Sequence, residues 1–157
     1  MLAAKPQTLS YVGAASAPLV AVTARQRLHD YAKAAAGQPV LIHGASGNVG
    51  GYAVQLARLA GLHVVTTATA RDAECLRGLG AERVIDYKTE RFEDSLAPVD
   101  IVFDLVGGET QERSLQVRKP GGILVSVVSP VPEAARRKYA VRNVFFYVEV
   151  TTERLNG

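Results

Sequence analysis

Residues 40–61, VLIHGASGNVGGYAVQLARLAG, pass from an apolar run through three glycines spaced three apart into an Ala- and Leu-rich helical pattern. A strand that enters a helix through so short a loop cannot fold back as a hairpin. Right-handed crossovers then leave few topologies other than a parallel return of the next strand. From Pro39 onward the same alternation repeats. Apolar, β-rich runs occupy 39–43, 62–67, 83–87, 100–106, 122–128 and 143–150, and helical patterns lie at 49–60, 72–79, 91–97 and 109–118. Several of these runs are nearly continuous Val, Ile and Leu, as expected of strands covered on both faces. Gly61, Gly80 and the KPGG at 119–122 supply the breaks. The pattern predicts a six-stranded, doubly wound parallel α/β sheet over residues 39–150 with helices on both faces, the Rossmann architecture. Residues 1–38 lack a strand pattern and read as a helical segment, with Pro18 opening a helix through LVAVTARQRLHDYAKAA.

The loop itself has a chemistry. Gly47 and Gly50 form the G-x-x-G half of a dinucleotide fingerprint, while Ala45 stands where its first glycine would be. A glycine at 47 lets backbone approach a pyrophosphate, and one at 50 lets the helix pack close to the sheet. The helix start adds unpaired N–H groups and a positive dipole end. A tight βα turn without a ligand would look similar, but the strand-loop-helix context favours a cofactor. About twenty residues on, a carboxylate would hold the ribose hydroxyls of NAD. No Asp or Glu occurs between Gly50 and Arg71, and Arg71 is the first cation after the second strand. A guanidinium without a nearby acid suits the 2′-phosphate of NADP. Asp72 reads as the acid of a helix start.

Composition narrows the alternatives. A chain of 157 residues with 48% apolar content fits one domain with one continuous core, with the span 1–157 as the cofactor domain. A net charge of +3 is too small to imply nucleic acid. The basic cluster Arg136, Arg137, Lys138 and Arg142 has Glu133 beside it and no interleaved aromatic platform, and it reads as a solvated helix face. One cysteine, Cys75, excludes an internal disulfide, and three separated histidines give no metal-ligand spacing. No apolar run has membrane-spanning length, so a cytoplasmic protein is expected. No tyrosine among the six has a lysine four residues later, which excludes the Tyr/Lys pair of short-chain dehydrogenases, and no catalytic acid or base stands out.

With VLIHGASGNVGGYAVQLARLAG, LRGLGAERVIDY, DIVFDLVGGET, KPGGILVSVVS and PLVAVTA in view, the chain resembles the cofactor domain of the medium-chain dehydrogenase/reductase superfamily, and most closely its zinc-independent, quinone-oxidoreductase-like branch. The resemblance covers most of residues 14–129. It implies that Ala45, Ser46, Gly47, Asn48 and Val49 embrace a pyrophosphate, and that Arg71 and Tyr87 lie near the adenosine 2′-phosphate. Val106, Gly107, Val127 and Ser129 would line the ribose and nicotinamide side, and Thr23 would lie close to the nicotinamide. Zinc-dependent relatives carry a ligand four residues before that threonine. Leu19 stands there, so no catalytic metal is expected. The family's substrate domain is missing, so Met1 and the abrupt TTERLNG read as cut points of an excised cofactor domain, inactive by itself.

The parent would pass hydride from NADPH to a quinone, enone or similar carbonyl compound. An enoyl-reductase domain of a polyketide or fatty-acid synthase and a non-catalytic NADP-sensing module are the alternatives. The apolar sixth strand, expected at 143–150, would lie at a sheet edge. The resemblance implies that it pairs with its partner's across a two-fold axis in a homodimer, and light scattering at micromolar concentration distinguishes dimer from monomer.

Overall fold

The computed structural model describes residues 4–140 and 142–156, and the ends of the 1–157 span lie outside them together with Val141. Strands β1 (Pro39–His43), β2 (His63–Ala68), β3 (Arg83–Asp86), β4 (Val99–Asp104), β5 (Arg118–Ser126) and β6 (Arg142–Phe145) form one sheet. Their order is β3-β2-β1-β4-β5-β6 and every pairing is parallel. The expected six-stranded doubly wound fold is therefore present, with its direction of winding reversing between β1 and β4.

Alternation along the strands builds a core on each face. Val40, Ile42, Ile101, Phe103, Ile123 and Val125 belong to one cluster, and Leu41, Val102 and Leu124 belong to the other. Helices α1 (Tyr11–Ser16) and α2 (Pro18–Arg25) and a π-helical turn (Gln26–Tyr31) precede the sheet. Helix α3 (Asn48–Leu59) buries Gly50, Ala53, Val54 and Ala57, a stripe of small side chains that lets it lie close to β1. Gly61, at φ +74°, ends it in a left-handed conformation that glycine adopts without strain. Helices α4 (Ala73–Leu79), α5 (Phe92–Ser95), α6 (Gly108–Ser114) and α7 (Glu133–Tyr139) complete the alternation, and α8 (Thr152–Asn156) follows β6. Ala4, Lys5, Pro6 and Leu9 near the start of the chain and Arg154 and Leu155 of α8 line the same apolar groove, of about 810 Å³.

Several boundaries differ from those expected. The helix expected at 109–118 stops at Ser114, and β5 begins at Arg118, ahead of the KPGG break. Arg118 turns its guanidinium onto the carbonyls of Lys119 (2.9 Å), Gly122 (2.8 Å) and Tyr139 (3.0 Å), so an irregularity replaces a clean strand start. The strand expected at 143–150 ends at Phe145. Phe146 turns inward and stacks on Tyr31 at 4.2 Å, which pulls the chain out of the sheet. The helix opened by Pro18 widens to a π-turn at Gln26 and stops at Tyr31.

Candidate functional site

The winding reverses at β1 and β4, and the loops leaving those two strands touch. A Cβ on Gly44 would come within 3.1 Å of Leu105 Cβ and 3.4 Å of Val106 Cγ2. Beside this contact opens a cavity of about 350 Å³ lined by His43, Gly44, Ser46, Thr67, Ala68, Tyr87, Phe92, Val106, Thr110 and Arg113. It follows the carboxyl ends of β1 to β4, where open α/β sheets bind their ligands. Helix α3 starts beside it at Gly47, whose lack of a side chain leaves the first N–H groups without a side-chain cap.

Of the residues expected at the site, Ser46, Tyr87 and Val106 line this cavity, and Tyr87 and Val106 are well exposed. Gly47 and Asn48 border a second depression, of about 300 Å³, that also includes Ser16, Val20 and Tyr52. Ala45 is fully buried in the core, so only its backbone can meet a ligand, and Val49 and Val127 also pack their side chains against the core. Arg71 sits exposed on a 3₁₀ turn (Ala70–Asp72) after β2, away from the cavity lining. Asp72 occupies the N-cap position of α4 and its carboxylate accepts the Thr69 hydroxyl at 3.0 Å. Thr23 is buried and donates its hydroxyl to the Leu19 carbonyl at 2.6 Å. Leu19 is exposed, and among the described residues no three His, Cys, Asp or Glu side chains converge as a metal site.

Gly107 and Ser129 belong to an arrangement organised by Asp104. Its Oδ1 accepts the amides of Val106 (3.0 Å) and Gly107 (2.8 Å), and its Oδ2 accepts Gln111 Nε2 (2.9 Å) and the Ser126 hydroxyl (2.8 Å). Ser126 Oγ in turn accepts the amides of Val128 (3.1 Å) and Ser129 (3.4 Å), and Gln111 reaches the Ser129 carbonyl at 2.9 Å. Burial pushes the Asp104 carboxyl up, but these hydrogen bonds outweigh it and hold the group below the usual carboxylate range. One buried carboxylate thus shapes the loops after both β4 and β5. At their meeting point a Cβ on Gly107, which has φ +77°, would lie 2.8 Å from Val128 Cγ1.

His43 forms the floor of the cavity and is fully buried. Ser114 gives its hydroxyl proton to the Thr110 carbonyl (2.6 Å), so its oxygen accepts His43 Nε2–H (2.8 Å), and His43 Nδ1 accepts the Thr67 hydroxyl (2.8 Å). Burial holds the imidazole neutral, with its pKa lowered from 6.5 to about 4. Below pH 6.5 the unfolded chain takes up this proton and the native chain does not, so stability is full above 6.5 and falls until about 4. Between pH 7 and 5 urea unfolding should show a loss of about 2 kcal/mol, and a flat profile in that window would remove His43 from the account. Arg113, on the cavity wall, forks onto Glu93 at 2.7 and 2.5 Å and holds that carboxyl down to about 2. Its charge is thus already matched by a carboxylate.

Sequence reasoning missed Asp104, Ser126, Gln111 and Thr67 as site-shaping residues and assigned His43 only a structural role. An Asp at a strand end with glycines three and four residues on is a signal for capture of loop amides.

The residues present suit a dinucleotide: an uncapped twelve-residue helix at Gly47, a close approach at Gly44 and a cavity along the strand ends. Comparisons with known proteins agree. The zinc-binding dehydrogenase family profile matches residues 48–152. The human mitochondrial NAD(P)H oxidoreductase RTN4IP1 is 38% identical over 135 residues, covering 80% of this chain and 34% of that protein. The quinone oxidoreductase of Coxiella burnetii superposes with a TM-score of 0.89 at 37% identity, covering 96% of this chain and 49% of that one. The CurK enoyl reductase superposes at 0.86 with 33% identity, covering 92% of this chain and 47% of that one. The chain thus spans about a third of that curated relative and about half of each of those solved chains. No helix among the described residues is long and apolar enough to cross a membrane. The shared fold, the strand-end site and these similarities agree that the chain belongs to the zinc-binding dehydrogenase family of the medium-chain dehydrogenase/reductase superfamily.

Proposed function

We propose that this chain is the cofactor-binding domain of an NADPH-dependent, zinc-independent oxidoreductase that reduces a quinone, enone or similar carbonyl compound. The observation that carries the reading is the meeting of the Gly44 and Val106 loops beside the uncapped start of α3. When bound, the nicotinamide would supply the hydride. The backbone of residues 45–49 would hold the pyrophosphate, Ser46 and Tyr87 the adenosine half, and Val106, Gly107, Val127 and Ser129 the ribose and nicotinamide side. The Asp104 network would fix the last of these groups before the ligand arrives, so that little ordering is left for binding. Thr23 remains a candidate near the nicotinamide through its position on α2, with its hydroxyl proton engaged by Leu19.

Arg71 would select NADPH by its charge. Titration of the chain with NADPH and NADH should show tighter binding of NADPH, and Arg71→Ala should weaken NADPH about tenfold while leaving NADH within twofold. Equal affinities in the unaltered chain would overturn the preference, and no binding of either would return the loop to a plain turn. The likeness to CurK favours a second reading, an enoyl-reductase domain of a synthase. Reduction by the full-length protein of a carrier- or coenzyme A-linked enoyl thioester in preference to quinones would select it. A homodimer through β6 and a cytoplasmic location complete the proposal.

A further inference from the structure

Arg27 is the one fully buried arginine among the described residues. It rides on the π-helical turn after α2, and π-turns inside helices often mark functional positions. Its Nη2 donates to the carbonyls of Asp104 (2.5 Å) and Val125 (2.6 Å), and its guanidinium lies 5.3 Å from the centre of the Phe103 ring. Nε and Nη1 are buried with no hydrogen-bond partner among the described residues. Burial lowers its pKa to about 9, which leaves it charged at neutral pH. A methionine of similar length would fill this space without a buried charge or orphaned donors, at the cost of the two hydrogen bonds to the Asp104 and Val125 carbonyls. Packing alone therefore gives no reason for an arginine here.

Its two partners supply one. Asp104 ends β4 and Val125 is the penultimate residue of β5. On the opposite face of the sheet the Asp104 carboxylate and Ser126 gather the amides of Val106, Gly107, Val128 and Ser129. Guanidinium and carboxylate so grip the same pair of strand ends from the two faces. We infer that Arg27 is a positioning residue that fixes the β4 and β5 ends, and with them the two loops that would flank the nicotinamide half of the cofactor. The inference rests on the cofactor reading above, and it concerns one half of that ligand only. Costly buried groups persist in this way where they hold a site in place.

The test compares NADPH with adenosine 2′,5′-bisphosphate, which carries the adenosine half alone. Arg27→Met should bind NADPH about tenfold more weakly and bind the bisphosphate within twofold. Arg27→Lys, which keeps the charge on a shorter side chain, should recover part of the NADPH affinity, with a loss of three- to fivefold. Equal losses for both ligands, or none for either, overturn the inference. Should Arg27→Met fail to fold, the same comparison on Arg27→Lys decides: a loss confined to NADPH supports the inference and a uniform change overturns it. If the unaltered chain binds neither ligand, the cofactor reading itself fails and this inference falls with it.

Discussion

Replacing Gly50 by alanine should abolish folding or cost at least about 4 kcal/mol, among the largest effects a single methyl can have. A Cβ there would stand 2.3 Å from the Gly44 carbonyl oxygen and 2.6 Å from Ala45 Cα. Those atoms are backbone of the loop that leaves β1, and they cannot swing aside as a side-chain tip could. Relief would require α3 to lift from the sheet and expose Ala53, Val54 and Ala57. The adjacent glycine gives the opposite result. At Gly51 a Cβ meets only Leu79 Cδ1 at 3.7 Å, so Gly51→Ala should stabilise by about 0.5–1 kcal/mol through helix propensity. Thermal melts by circular dichroism of the two variants make a matched pair. A Gly50→Ala melt close to the unaltered one would show that the close approach is not required.

Asp104→Asn should be the second largest change, costing about 3 kcal/mol and weakening NADPH at least tenfold. All four partners of the carboxylate come to it as donors. An amide must turn its NH₂ toward two of them, whichever way it is flipped. On the Oδ1 side those two are backbone amides with no alternative acceptor, so Ser126 and Gln111 would have to rearrange instead. That rearrangement releases Val128 and Ser129, which rest on Ser126 Oγ. Urea unfolding together with an NADPH titration separates the two consequences. Full affinity in a destabilised Asp104→Asn would mean the loops find their shape without the network.

Much of this fold can be read along the chain, because parallel strands with covered faces and glycine-broken helices leave periodic marks. Handedness and short connections limit the topologies such a chain can take. The errors fell where one side chain outweighs local pattern: Phe146 turning into the core against Tyr31, and Arg118 capturing three carbonyls. The site was legible as a loop but not as a network. Asp104 looks in sequence like one of two acids in an apolar strand, and Arg27 looks like a solvent-facing cation on a helix. Their roles depend on partners 22 residues away for Asp104 and 98 for Arg27, and no window of sequence contains both ends.

The groove shared by residues 4–9 and α8 has a topological consequence. Residues 4–9 and Arg154 and Leu155 thus lie side by side, on the flank of α2 and α3. Such a fold can hang from a longer chain as a closed loop, joined through one doorway, without any segment threading the sheet. For the same reason a short peptide joining the two ends, with new ends opened in an exposed turn such as Lys88–Thr89, would leave every strand pairing intact.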